Sequence, residues 1–168
     1  MNSSDLKIFM AEDNEFFSIM IAAAIKDQYG FNIDIFHTGE NMLKRMVEKP
    51  DIILLDFQLN SENENCMNGD EVLRNIKLTN PDTKVVMISS QKDLEMAIEL
   101  LKFGACNYIC KDLHSVKNIG ITLQNLQELL NLKTEVKFYK SKSTKEKYRL
   151  AWLSVLVFFG LITSYFLG

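Results

Sequence analysis

The stretch DIILLDF, residues 51–57, is a continuous apolar run closed at each end by an acid and preceded by Pro50. A run without polar alternation suits a central parallel strand covered on both faces. Upstream, LKIFMA (6–11) is a second short apolar run, and it ends in Glu12-Asp13-Asn14, which reads as a buried strand followed by an acidic turn that caps a helix. Residues 15–29 carry Phe17, Met20, Ile21, Ala24 and Ile25 at helical spacing and close on Gly30. FNIDIFH (31–37) alternates and reads as a strand; Thr38-Gly39 ends it, and residues 40–48 predict a second helix. Downstream, Asn60–Asn68 is a polar loop, Gly69 to Leu78 a helix broken by Asn80-Pro81, and KVVMIS (84–89) a buried strand. Residues 92–103 predict a helix ended by Gly104, and NYIC (107–110) a short strand. Residues 115–132 predict an amphipathic helix with Val116, Ile119, Leu123, Leu126 and Leu130 on one stripe. Five strands alternating with helices predict an α/β fold, a five-stranded parallel sheet, doubly wound, with helices on both faces.

The 168 residues are 47% hydrophobic and 24% charged, with seven Gly and two Pro, which excludes a disordered polymer and a linker-dominated chain. The net charge of −3 conceals three different segments. Residues 1–132 hold 12 bases and 20 acids; Lys133 to Arg149 hold seven bases and two acids; residues 150–168 carry no charge. An acidic domain is a poor partner for nucleic acid, whose binding rests on neutralising phosphates. Cys66, Cys106 and Cys110, with no N-terminal signal peptide, fit a reducing cytosol. No further His or Cys pair completes a metal site with Cys106 and Cys110, so ordinary buried thiols are expected.

The uncharged end, LAWLSVLVFFGLITSYFL (150–167), would rise about 27 Å as a helix, close to the thickness of a bilayer core of about 30 Å. Tyr148 and Trp152 flank one end and Tyr165 the other, and the basic stretch lies just before it. The expectation is a domain over 1–132, a basic helical connector over 133–149 and a single-pass transmembrane helix over 150–168, with the domain facing the cytoplasm. A last buried helix, in a cytoplasmic protein, is the alternative.

In doubly wound sheets the working groups collect at the carboxyl ends of the strands. Those ends carry Glu12-Asp13, Asp56, Ser89-Ser90 and Lys111. Clustered carboxylates favour a hard divalent cation, and Mg²⁺ is the natural one beside a phosphoryl group. With it, the Asp56 carboxylate can attack phosphorus, and Lys111 and the Ser89 hydroxyl meet the charge on the transferring oxygens. Singly, each residue has a plainer use: an Asp at a strand end caps a helix, a Lys after a short strand faces solvent, and Tyr108 is a core aromatic.

As an ordered set, Glu12-Asp13, Asp56 in LLDFQL, Met67-Asn68-Gly69, Ser89, Tyr108 and Lys111 resemble the receiver domains of two-component response regulators, over roughly residues 5–130. The resemblance implies a flavodoxin-like receiver fold and phosphorylation of Asp56 by a sensor histidine kinase or a histidine phosphotransfer protein. It implies Asp13 and Asp56 as direct Mg²⁺ ligands, Glu12 acting through water and the Gln58 carbonyl completing the site. Ser89 and Tyr108 are then the switch residues that report the phosphoryl group to the face of the fourth helix, fifth strand and fifth helix.

The sequence departs from the family pattern in three places. LNSENENCMN (59–68) is a longer, more acidic loop than usual; Asp112 follows Lys111 where proline is usual, leaving the cis or trans state of that bond open; and Gln58 and Gln91 lie near the expected phosphoryl position. His37 and His114 are expected in loops with surface roles. Only about 36 residues follow the last domain helix, so no DNA-binding or enzymatic output domain is expected. Output would pass to another protein, through phosphate relay, or through a homodimer at the membrane. The rivals are a pseudo-receiver scaffold without phosphotransfer and a phosphohydrolase, the latter disfavoured because Gln58 leaves no second carboxylate two residues after Asp56.

Overall fold

The computed structural model describes residues 6–59 and 66–167; the side chains of residues 150, 151 and 154–167 lie outside that set. In chain order the elements are β1 (Ile8–Ala11), α1 (Glu15–Tyr29), β2 (Ile33–Phe36), α2 (Gly39–Lys44), a 3-10 turn (Met46–Glu48), β3 (Ile52–Asp56) and α3 (Gly69–Thr79). They continue with β4 (Lys84–Ser89), α4 (Leu94–Lys102), β5 (Asn107–Cys110) and α5 (Ser115–Leu167). Every strand pair is parallel, in the order β2-β1-β3-β4-β5. The five-stranded doubly wound α/β sheet read from the sequence is therefore present. Ala11 is in register with Leu55, Asp56 with Ile88, and Ser89 with Cys110, so the strand ends share one edge. From β1 the chain winds out to β2 on one side and returns to β3 on the other, a reversal that opens a crevice at the carboxyl ends of those two strands.

Burial explains the continuous apolar runs. Every residue of β1 and β3 is buried. Phe9, Ile53, Leu55, Val85 and Met87 pack with Val72, Leu73, Ile76 and Leu100 in one core. The alternate residues Ile8, Met10, Ile52, Leu54, Val86 and Ile88 point to the other face and are buried as well. Ile21 and Ile25 of α1, and Ile119, Leu123 and Leu126 of α5, are the buried stripes of helices. β2 is an edge strand, only partly buried, and keeps four residues of the seven that the alternation suggested.

The helix ends follow local chemistry. Asn14 caps α1 by accepting from the Phe17 amide, and Gly30 closes it at φ 75°, in the left-handed region that glycine enters without strain. α4 starts at Leu94, later than the expected residue 92, because Asp93 accepts from the Glu95 and Met96 amides and fixes the cap there. The expected helix over 40–48 is instead α2 plus the 3-10 turn.

The chain divides into two units, Met1–Gln127 and Glu128–Gly168. The backbone of α5 runs without interruption from Ser115 to Leu167, so the basic connector is helical. Among the described residues no helix is long and apolar enough to cross a membrane, and the expected transmembrane helix has no support there; the side chains on which it rests lie mostly outside them. The cysteines are free but not buried, which corrects the sequence reading: Cys106 is exposed, and Cys66 and Cys110 are half-buried. Cys106 and Cys110 flank or end the edge strand β5, where the sheet has no further neighbour to cover them.

Candidate functional site

The β1–β3 crevice opens into a cavity of about 900 Å³ whose wall includes Glu12, Asp13, Asp56, Gln58, Ser90 and Lys111. Glu12 and Asp13 stand there because β1 ends at Ala11 and Asn14 begins the helix cap, leaving two acids between strand and helix. Asp56 is the last residue of the central strand and is buried. Gly69 lets α3 start directly against that strand end. Its amide donates to the Phe57 carbonyl at 2.9 Å, and a Cβ there would run into the Asp56 carbonyl and approach the Phe57 Cα to 2.7 Å. Asn68 and Glu71 form a capping box on the same helix.

Lys111 crosses the site. Its Nζ donates to Asp56 Oδ2 at 2.8 Å and to Glu12 Oε1 at 2.9 Å, and lies 2.7 Å from Glu12 Oε2. The Lys111–Asp112 bond is trans, and the lysine reaches both carboxylates from it. The Asp112 amide is held by Ser115 Oγ at 2.7 Å, which fixes the turn in place of a proline. The Phe17 ring, 4.7 Å from Nζ, covers the ammonium on another side. Burial and the charge of Asp56 push the Glu12 pKa up to about 7, against the opposing pull of Lys111. Burial likewise raises Asp56, with Lys111 opposing. Burial alone would lower Lys111, but Asp56 and Glu12 outweigh it and hold the ammonium protonated.

One ammonium among three carboxylates leaves a negative excess. Glu12, Asp13 and Asp56 each offer an oxygen within 4.8 Å of the others. Asp56 Oδ1 and Glu12 Oε2 are buried and receive no aligned hydrogen bond among the described residues. Two such oxygens beside an excess of negative charge fit a hard divalent cation such as Mg²⁺.

The other expected residues are placed less centrally. Gln58 is exposed, and its Oε1 accepts from Ser90 Oγ at 3.1 Å. Ser89 is fully buried, and its hydroxyl accepts from the Gln91 amide at 3.1 Å; Ser90 lines the cavity in its stead. Tyr108 donates from its hydroxyl to the Gln91 carbonyl at 2.6 Å, tying β5 to the loop after β4. His37 lies in the loop after β2 and is exposed, as expected, and there it also borders the cavity, with Nδ1 3.3 Å from the Glu12 carbonyl oxygen. His114 stays in the turn after Lys111, where its amide donates to Asp112 at 2.8 Å. Phe17 is a site residue that sequence reasoning missed, whereas Ser90 had its place at the strand end beside Ser89. An aromatic four residues after Asp13, one turn into the helix that leaves the strand end, was the available signal for Phe17. The expected long loop falls largely on residues 60–65, outside the described residues.

Fold and site together define a parallel α/β domain with buried carboxylates and one lysine at the switch point. The chain belongs to the response regulator receiver domain family, whose model matches residues 8–120. A Rickettsia typhi protein that carries the name NtrX-like response regulator is 34% identical over 140 residues, which are 83% of this chain and 28% of that one. Among solved structures, the signal receiver domain of a LuxO-type repressor from Vibrio parahaemolyticus superposes with a TM-score of 0.67 at 22% identity, covering 77% of this chain and 95% of that one. NtrX from Brucella abortus also gives 0.67, at 24% identity over 77% of this chain and 28% of that one. The chain thus spans a little over a quarter of the length of the curated relatives it matches.

Proposed function

We propose that the chain is a phosphoacceptor that takes a phosphoryl group on Asp56 from a sensor histidine kinase or a histidine phosphotransfer protein, and that it is not otherwise an enzyme. The observation that carries this reading is the division of labour between the two Asp56 oxygens. Oδ2 is held by Lys111, whereas Oδ1 is buried at the cavity with no hydrogen bond among the described residues. The Asp56 carboxylate is then the nucleophile: it forms the new bond to phosphorus as the bond from phosphorus to the donor breaks, and the donor leaves with that electron pair, while the second carboxylate oxygen stays available to a cation. Lys111, fixed by Glu12, holds the carboxylate in place and keeps a positive charge beside the oxygens that gather negative charge. Asp13 and Asp56 would hold Mg²⁺ directly, Glu12 through water, with the Gln58 carbonyl completing the set. Bound there, the ion would neutralise charge on the transferring group. Ser89 and Tyr108 are the switch residues, both already tied to Gln91 in the loop after β4.

Incubation with acetyl phosphate and Mg²⁺ tests this. The expected result is one acid-stable, base-labile phosphate that disappears in Asp56→Asn. No uptake in the wild-type chain would favour the rival, a pseudo-receiver scaffold. The signal is expected to leave by phosphorylation-dependent binding of an output protein. Membrane attachment belongs to the same proposal and rests on the charge-free stretch after the basic segment. Equal solubility, without detergent, of the full chain and a chain ending at Lys140 would overturn the attachment.

A further inference from the structure

We propose that the helix beyond Gln127 pairs in parallel with the same helix of a second copy of this chain, as a short two-stranded coiled coil. Leu129, Leu132, Val136 and Tyr139 are spaced three and four residues apart, the a and d positions of two successive heptads. The helix is unbroken through them, and they are 42%, 53%, 51% and 66% exposed. Aliphatic and aromatic side chains on one stripe, all in solvent, are what a seam lacks until its partner arrives. Val at an a position with Leu at a d position favours two strands over three or four.

Charge identifies the occupant and its direction. Glu128 and Glu135 fall at g, Lys133 and Lys140 at e. In a parallel pair, each g residue faces the e residue five positions on in the other copy. Glu128 then meets Lys133, and Glu135 meets Lys140, twice over by symmetry. An antiparallel pair would set glutamate against glutamate and lysine against lysine. Past Tyr139 the pattern stops: Ser143 and Glu146 take the next a and d positions, and Lys142 at g would face Lys147 at e. A lipid surface is the weaker occupant for this stripe, because the segment from Glu128 to Lys140 holds two acids against three bases. The strongly basic part, with four bases and one acid, is 141–149.

The test uses the full chain in detergent micelles with Cys66, Cys106 and Cys110 changed to serine. Leu132→Cys and Val136→Cys on the seam are expected to form inter-chain disulfides under mild oxidation at least about tenfold faster than Lys137→Cys beside it. Equal rates at all three overturn the proposal. Glu135→Lys or Lys140→Glu alone is expected to lower the dimer fraction, and the double variant, or an equimolar mixture of the two single ones, to restore it. Failure of both restorations rules out the parallel register. If, with the chain reconstituted into phosphatidylserine vesicles in place of micelles, the seam cysteines become shielded from labelling and no cross-link forms, the stripe serves a membrane and the proposal is wrong.

Discussion

Between Lys133 and Arg149 seven bases and two acids stand in solvent on one helix, whereas at the strand ends a single ammonium is enclosed by two buried carboxylates. The same residue types have opposite energetic meaning in the two places. On the helix, a charge off the proposed seam, such as Lys137 or Lys145, keeps its water and its loss changes little. At the site, water has been exchanged for a few fixed partners, so every charge depends on the next.

The largest contrast should appear in chemistry. Asp56→Asn is expected to lower Mg²⁺-dependent phosphate uptake from acetyl phosphate by at least about 100-fold, because the amide oxygen is a poor nucleophile. Lys145→Ala should leave it unchanged, as phosphate counting by mass spectrometry would show. Stability comes next. Lys111→Met leaves Glu12 and Asp56 without their cation, and the metal-free chain at alkaline pH should lose about 2–4 kcal/mol in urea unfolding. Lys137→Met should stay within about 0.5 kcal/mol of wild type. Equal costs would mean that the strand-end ions are as solvated as those of the helix.

A smaller effect is expected from pH. Glu12 is raised from 4.5 to about 7 in the fold, so the folded state resists its ionisation. The metal-free chain is therefore most stable below about pH 4.5 as far as this group is concerned, and loses about 3 kcal/mol as pH rises from there through 7. Mg²⁺ competes with the proton, so the rise in Tm on adding it should grow across the same window. A Tm gain from Mg²⁺ that is flat from pH 5 to about 8 would break this account. Smallest of all, Asn68→Ala removes the cap on α3 and should cost about 1 kcal/mol, read as a shift in urea midpoint at constant slope.

Much of this was legible in the residues. The runs around Phe9, Ile53 and Val86 are apolar without a break because both sheet faces are covered, and the acid, hydroxyl and lysine at their ends come from successive strands. What escaped depended on three-dimensional direction. Which of two adjacent serines faces the cavity is set by the last strand residue, and Ser89 is still inside β4 while Ser90 is past it. Phe17 read as a core residue of α1 because helical spacing reports a face and not a neighbour; its ring lies over Lys111, nearly a hundred positions away in sequence. The cysteines were read by their usual burial, yet β5 is an edge strand, and strand order is invisible to composition.

The chain is pinned on both sides of the stretch between β3 and α3. Leu59 is buried on one side, and on the other the Met67 amide is held by Glu40 at 2.6 Å and Asn68 starts the helix. Glu40 belongs to α2, so the start of α3 is fastened both to the helix that precedes β3 and, through the Gly69 amide on the Phe57 carbonyl, to the chain next to Asp56. A substitution at Glu40, a residue outside the cavity wall, would therefore be felt at the strand end that carries Asp56, a lever on the candidate site that leaves its charges untouched.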